Sequence, residues 1–150
     1  MSDHSMTERC VPVQLTMSRL SVPSRTPLPE GLDAELREAG VFWDAVRVPG
    51  DSGERVLAVL DDDCGAVIRD ACNRTVYFMV RPGAADAWRF PVEARVRVLG
   101  TGCYVVVPPP HCDRWAAVFW ARPVVNGRVL TRSRRLHAVI QNVVAGASAR

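Results

Sequence analysis

Lysine is missing from the chain: all 19 basic side chains are arginine. Codon bias in a GC-rich genome accounts for that, and arginine clusters also serve anion recognition. The cysteines are odd in number, five in all. Cys10, Cys64, Cys72, Cys103 and Cys112 include no C-x-x-C pair, which argues against a disulfide framework and a zinc ribbon. Cys64, Cys72 and Cys103 lie among apolar residues and are expected to be buried thiols. His111-Cys112 is the one adjacent pair with ligand chemistry, and two residues do not make a metal site. No apolar run approaches membrane-spanning length. The first 20 residues carry acids and lack a continuous apolar core, so no signal peptide is expected and a reducing cytoplasm is the simplest setting. Neither G-x-S-x-G nor a P-loop is present, and Gly100-Thr101-Gly102 is too short for a dinucleotide fingerprint. His4, His111 and His137 form no obvious nucleophile–base pair with a serine or cysteine.

What is there fits one globular domain. A 150-residue chain with 48% hydrophobic and 23% charged residues can bury roughly two thirds of its unfolded surface. The net charge of +3 permits contact with nucleic acid without arguing for it. Residues 1–30 read as a loosely attached leader, because "SVPSRTPLPEG" packs three prolines among Ser and Thr. Within it "VPVQLTMSRL" fits either an edge strand or a short helix. Residues 31–150 then form a single domain.

Leu32, Leu36 and Ala39 fall at helical spacing and predict a short helix over 30–40. "VFWDAVRVP" alternates as a strand, and Asp51 or Ser52 can cap a helix through "GERVLAVLDDD". "GAVIRD" and "TVYFMV" read as strands, "AADAW" as one helical turn, and "ARVRVLG" as a half-exposed strand. "CYVVV" is continuous and apolar, so it is expected to be central and covered on both faces, with the following prolines stopping its ladder. "AAVFW" is a further strand, and Asn126-Gly127 signals a tight hairpin. Thr131 or Ser133 caps a last helix with Leu136, Val139, Ile140, Val143 and Val144 along one face and Gly146 at its end. The predicted class is α+β: a mixed, mainly antiparallel sheet of five or six strands covered by two or three helices.

Two segments carry a family likeness. "RTVYFMVRPG", Arg74 to Gly83, is followed about 20 residues later by "VLGTGCYVVVPPP". Together with "ERVLAVLDDDCGAVI" before them and "VFW" after, this resembles the primase-polymerase domains of the archaeo-eukaryotic primase superfamily over roughly Val41 to Pro123. It also resembles short proteins of high-GC actinobacteria. The family likeness implies nucleotidyl transfer with two divalent metals on acidic side chains, and a histidine on the incoming triphosphate. The chain departs from that pattern at each place. Val46 and Val48 stand where a carboxylate pair is expected, Thr75 where the histidine is expected, and Arg97 where the third carboxylate is expected. The likeness therefore implies a non-catalytic binding or regulatory module with no catalytic residues and no cofactor.

The remaining candidates follow from residue type. Arg69, Arg74, Arg97 and His111 are candidate anion or nucleotide contacts. Arg132, Arg134 and Arg135 oppose the dipole of the helix they open, so they are candidate nucleic-acid contacts or a solvated face. Trp88, Trp115 and Trp120 either stack bases or fill a core. Asp61, Asp62 and Asp63 with Asp70 are the alternative metal set, for an enzyme with a relocated site using Mg²⁺ or Mn²⁺. The other alternative is a structural or protein-interaction domain pairing through an edge strand near the N-terminus. The implied partners are a nucleotide, a nucleic acid or a protein, and no membrane.

Overall fold

The structure is a computed structural model that describes residues 27–110, 112 and 116–148. Most of the expected leader, including "VPVQLTMSRL", lies outside the described residues, as do His4, Cys10, His111 and Trp115. Among these described residues seven strands and two α-helices follow in the order β1 (Glu35–Glu38), β2 (Asp44–Pro49), α1 (Gly50–Leu60), β3 (Val67–Asp70), β4 (Thr75–Val80), β5 (Arg97–Leu99), β6 (Tyr104–Val107), β7 (Val118–Arg122) and α2 (Ser133–Ser148). The main sheet has the order β5-β2-β4-β3-β7, and β1 and β6 form a separate two-stranded ribbon. Every pairing among the described residues is antiparallel, which gives the mainly antiparallel five-stranded sheet that the sequence predicts. The class is α+β.

Alternation along the strands divides the core in two. Val46, Val48, Val67, Val76, Phe78 and Val80 face the helices and meet Val56, Leu57 and Leu60 of α1 and Leu136, Val139, Ile140 and Val144 of α2. Ala45, Ile68, Met79 and Trp120 point the other way, into a second core with Trp43, Val105, Val107 and Val129. Thus Trp120 fills a core. Gly53 lets α1 press onto β4, since a Cβ there would lie 2.7 Å from Val76 Cγ2. Asn126 and Gly127 both have positive φ and close the Val125–Arg128 turn, as the dipeptide predicts.

Several expectations are corrected. Residues 30–40 hold no helix: Leu32 is 92% exposed and β1 occupies Glu35–Glu38. The ladder to Tyr104–Val107 supplies that segment's backbone partners and overrides its short helical period. The inward face of β1 carries a buried ion pair, Arg37 Nη2 to Glu35 Oε1 at 3.1 Å, and Arg37 also donates to the Leu28 carbonyl at 2.8 Å. β6 is not central: it joins the ribbon, and Tyr104 is half exposed. α1 starts at Gly50 behind Pro49 without a side-chain cap, and a 3₁₀ turn over Asp61–Asp63 follows it. Thr131 does not cap α2. Its Oγ1 accepts from the Gly65 N–H at 2.9 Å, locking the strand entry to the loop before the helix. α2 runs past Gly146 to Ser148. "AADAW" forms turns, and Cys72 is exposed, with Cys64 and Cys103 partly so.

Candidate functional site

α1 and α2 run antiparallel. Asp63 beside α1's C-terminal end meets Arg135 near the start of α2 at 3.4 Å. At the opposite end of this layer the first turn of α1 and the late residues Val144 and Ala147 of α2 open onto a broad cleft of about 1500 Å³. Its other walls are the ends of β2 and β4, the β3–β4 turn and residues 90–97. Five arginines line it: Arg47, Arg69, Arg74, Arg95 and Arg97. The carboxylates in the lining are Asp51, Glu54, Asp70 and Glu93.

Backbone pairing decides which arginines act together. In the ladder between β2 and β5, Arg47 stands directly opposite Arg97, on the sheet face away from the helices. Like charges in directly opposed positions repel. Neither makes a salt bridge among the described residues. Tyr77 continues the row on the far side of Arg47. Arg74 sits at the end of the β3–β4 turn in the left-handed region, φ 53, and its carbonyl accepts the Gly50 N–H at 2.7 Å. Asp70 stiffens that turn, its carboxylate accepting from the Asn73 backbone N–H at 3.0 Å and side-chain amide at 2.8 Å. Arg69 is engaged elsewhere: it pairs with Glu54 of α1, and its guanidinium lies 5.6 Å from the Phe119 ring centroid. Thr75, where the family likeness expects a histidine, lines the cleft and is buried, and its hydroxyl oxygen has no hydrogen-bond partner.

The candidates from sequence sort clearly. Arg69, Arg74 and Arg97 line one cleft, with Arg69 already paired, while His111 lies outside the described residues. Arg132, Arg134 and Arg135 are exposed at the other end of the helix layer, a separate surface from the cleft. Asp61 pairs with Arg122 at 3.6 Å and Asp63 with Arg135, so two of the three acids are held by arginine. Asp70 is near the opposite end of α1, about 16 Å away along an 11-residue helix, and does not converge with them. Among the described residues no group of three His, Cys, Asp or Glu side chains is placed to hold a metal ion. Val46 and Val48 are wholly buried under the helices.

Sequence reasoning missed Arg47 and Arg95. Arg47 was legible: with Val46 and Val48 pointing inward, alternation sends Arg47 to the opposite face. Arg95 gave no local signal. Trp88 is not displayed as an open platform: it stacks on His137 of α2 with ring centroids 4.6 Å apart. Cys64 lies outside the cleft. Burial raises its thiol pKa above the ordinary value, only partly offset by Arg122 and Arg128. No helix among the described residues is long and apolar enough to cross a membrane. Comparison with family models, curated proteins and solved structures finds no match to this chain.

Proposed function

We propose that the chain is a non-catalytic, primase-polymerase-like binding module whose arginine cleft takes a phosphate-bearing ligand, a nucleotide or a nucleic acid. The observation that carries this reading is the directly opposed Arg47–Arg97 pair, with Arg74 and Arg95 in the same cleft and, among the described residues, no salt bridge to any of the four. Two like charges held side by side cost stability in the empty protein. A bridging anion reverses that sign, because each guanidinium fork can donate two hydrogen bonds to phosphate oxygens. The non-catalytic part rests on the sequence. The positions where the likeness expects carboxylates carry valines packed in the core and an arginine, and Arg97 would repel a metal cation rather than hold it.

The test is calorimetric titration with ATP and with a short single-stranded oligonucleotide, in wild type and Arg47→Gln. Binding that is lost in the variant supports the reading. Affinity unchanged by Arg47→Gln places the ligand elsewhere. A primer-synthesis assay with Mg²⁺ or Mn²⁺ covers catalysis: synthesis abolished by replacing Asp61, Asp62 and Asp63 with Asn would overturn the non-catalytic assignment.

A further inference from the structure

Two of the cleft arginines, Arg74 and Arg95, have positive φ, 53° and 56°, in a region that non-glycine side chains rarely enter. Their surroundings differ. The backbone of Arg74 is locked by the Gly50 N–H on its carbonyl. Arg95 closes the short 3₁₀ turn Val92–Ala94, and the backbone bonds of this segment are internal: Ala94 N–H to the Pro91 carbonyl at 3.0 Å and Arg95 N–H to the Val92 carbonyl at 3.1 Å. Pro91, Val92, Glu93 and Arg95 are all exposed, Val92 by 88%, and only the small Ala94 of this turn packs toward the core. Both flanks are firm. Before the turn, Trp88 and Phe90 clasp His137 of α2, at centroid distances of 4.6 and 5.7 Å. After it, Val96 packs against the core and Arg97–Leu99 are zipped onto β2. A segment pinned at both ends, with internal hydrogen bonds and little buried apolar area, opens and shifts at low cost.

We propose that residues 91–95 are a strap along the cleft and that Arg95 is the ligand-contacting residue it delivers, closing onto an anion already held by Arg47 and Arg97. The proposal rests on the anion-cleft reading. Glycine would relieve the backbone at position 95, and an arginine there keeps a guanidinium on the cleft rim at the expense of conformational ease. Glu93 rides on the same turn and also lines the cleft, so its charge opposes the anion that Arg95 attracts.

Inorganic tripolyphosphate is the probe, with two readouts: its affinity by calorimetry, and the rate of tryptic cleavage after Arg95. Expected results are slower cleavage after Arg95 in the complex, with cleavage after Arg89 less affected. Arg95→Gln should lose about tenfold in affinity, the scale of one charge-assisted hydrogen bond. Glu93→Gln should bind no more weakly than wild type. Arg95→Gly, which suits the backbone and removes the guanidinium, should lose affinity while melting no lower than wild type. The strap is overturned if tripolyphosphate binds in an Arg47-dependent way but leaves cleavage after Arg95 unchanged, or if Arg95→Gln binds like wild type. Failure of tripolyphosphate to bind wild type, or binding indifferent to Arg47→Gln, brings down the cleft reading itself and the strap with it.

Discussion

Replacing Arg97 by glutamine should make the protein more stable and less able to bind, and the two effects come from one geometry. Arg97 and Arg47 are Cα partners in adjacent strands, and directly opposed side chains start about 5 Å apart at Cβ. With charged heads about 6 Å apart in a water-like dielectric of about 80, the repulsion is about 0.7 kcal/mol. Exposure of Arg97 keeps it at that high-dielectric end. Glutamine retains much of the aliphatic stem and removes the charge, so Arg97→Gln is expected to gain about 0.5–1 kcal/mol at low salt, or about 1–4 °C in melting temperature for a domain of this size. The gain should largely vanish near 1 M salt, where the screening length falls to about 3 Å. Saturating anion should invert the order: a ligand at about 100 times its Kd stabilises wild type by about 2.7 kcal/mol, and the variant binds more weakly. Differential scanning calorimetry at low and high salt, with and without ATP, reads all four conditions. An Arg97→Gln protein less stable than wild type at low salt, or a stability difference unmoved by salt, would refute the repulsion argument.

Other perturbations have equally definite signs. Asp44 is buried at the start of β2, where one carboxylate oxygen accepts the Gly83 N–H at 2.8 Å and the other has no partner. Asp44→Ala should cost about 1–3 kcal/mol in urea denaturation by stranding that N–H; Asp44→Asn, which keeps an acceptor for it, should cost less, and equal losses would refute this account. Gly53→Ala puts a Cβ 2.7 Å from the stiff, buried Val76 side chain and should cost about 1–3 kcal/mol by the same measurement. Burial raises the thiol pKa of Cys64, so iodoacetamide at mildly alkaline pH should label Cys64 more slowly than exposed Cys72, read by peptide mass mapping. The same shift fixes a stability slope. The folded state holds the Cys64 proton longer than the unfolded chain, so stability falls as pH rises above the unfolded thiol value of about 8.5, and Cys64→Ser should flatten that decline in pH-dependent melts.

Residue patterns determined the local elements wherever one period dominated. "TVYFMV" forms β4 across its whole length, the apolar stripe of α2 lies in the core, and Asn126-Gly127 makes its turn. These need only neighbours a few residues away. Short segments with two compatible periods were settled by distant partners: Leu32, Leu36 and Ala39 describe a helix face, yet the ladder to β6 makes Glu35–Glu38 a strand. The valine run of β6 promised a central strand, yet among the described residues it pairs only with β1. The cleft divides in the same way. Alternation alone sends Arg47 away from the helices, and Arg74 and Arg97 were visible as candidates. Their convergence, the pairing of Arg69 with Glu54, and the separation of Asp70 from Asp61–Asp63 belong to the tertiary structure. Register between β2 and β5 is a non-local choice that no local period encodes, and it alone sets Arg47 against Arg97 across 50 residues of chain.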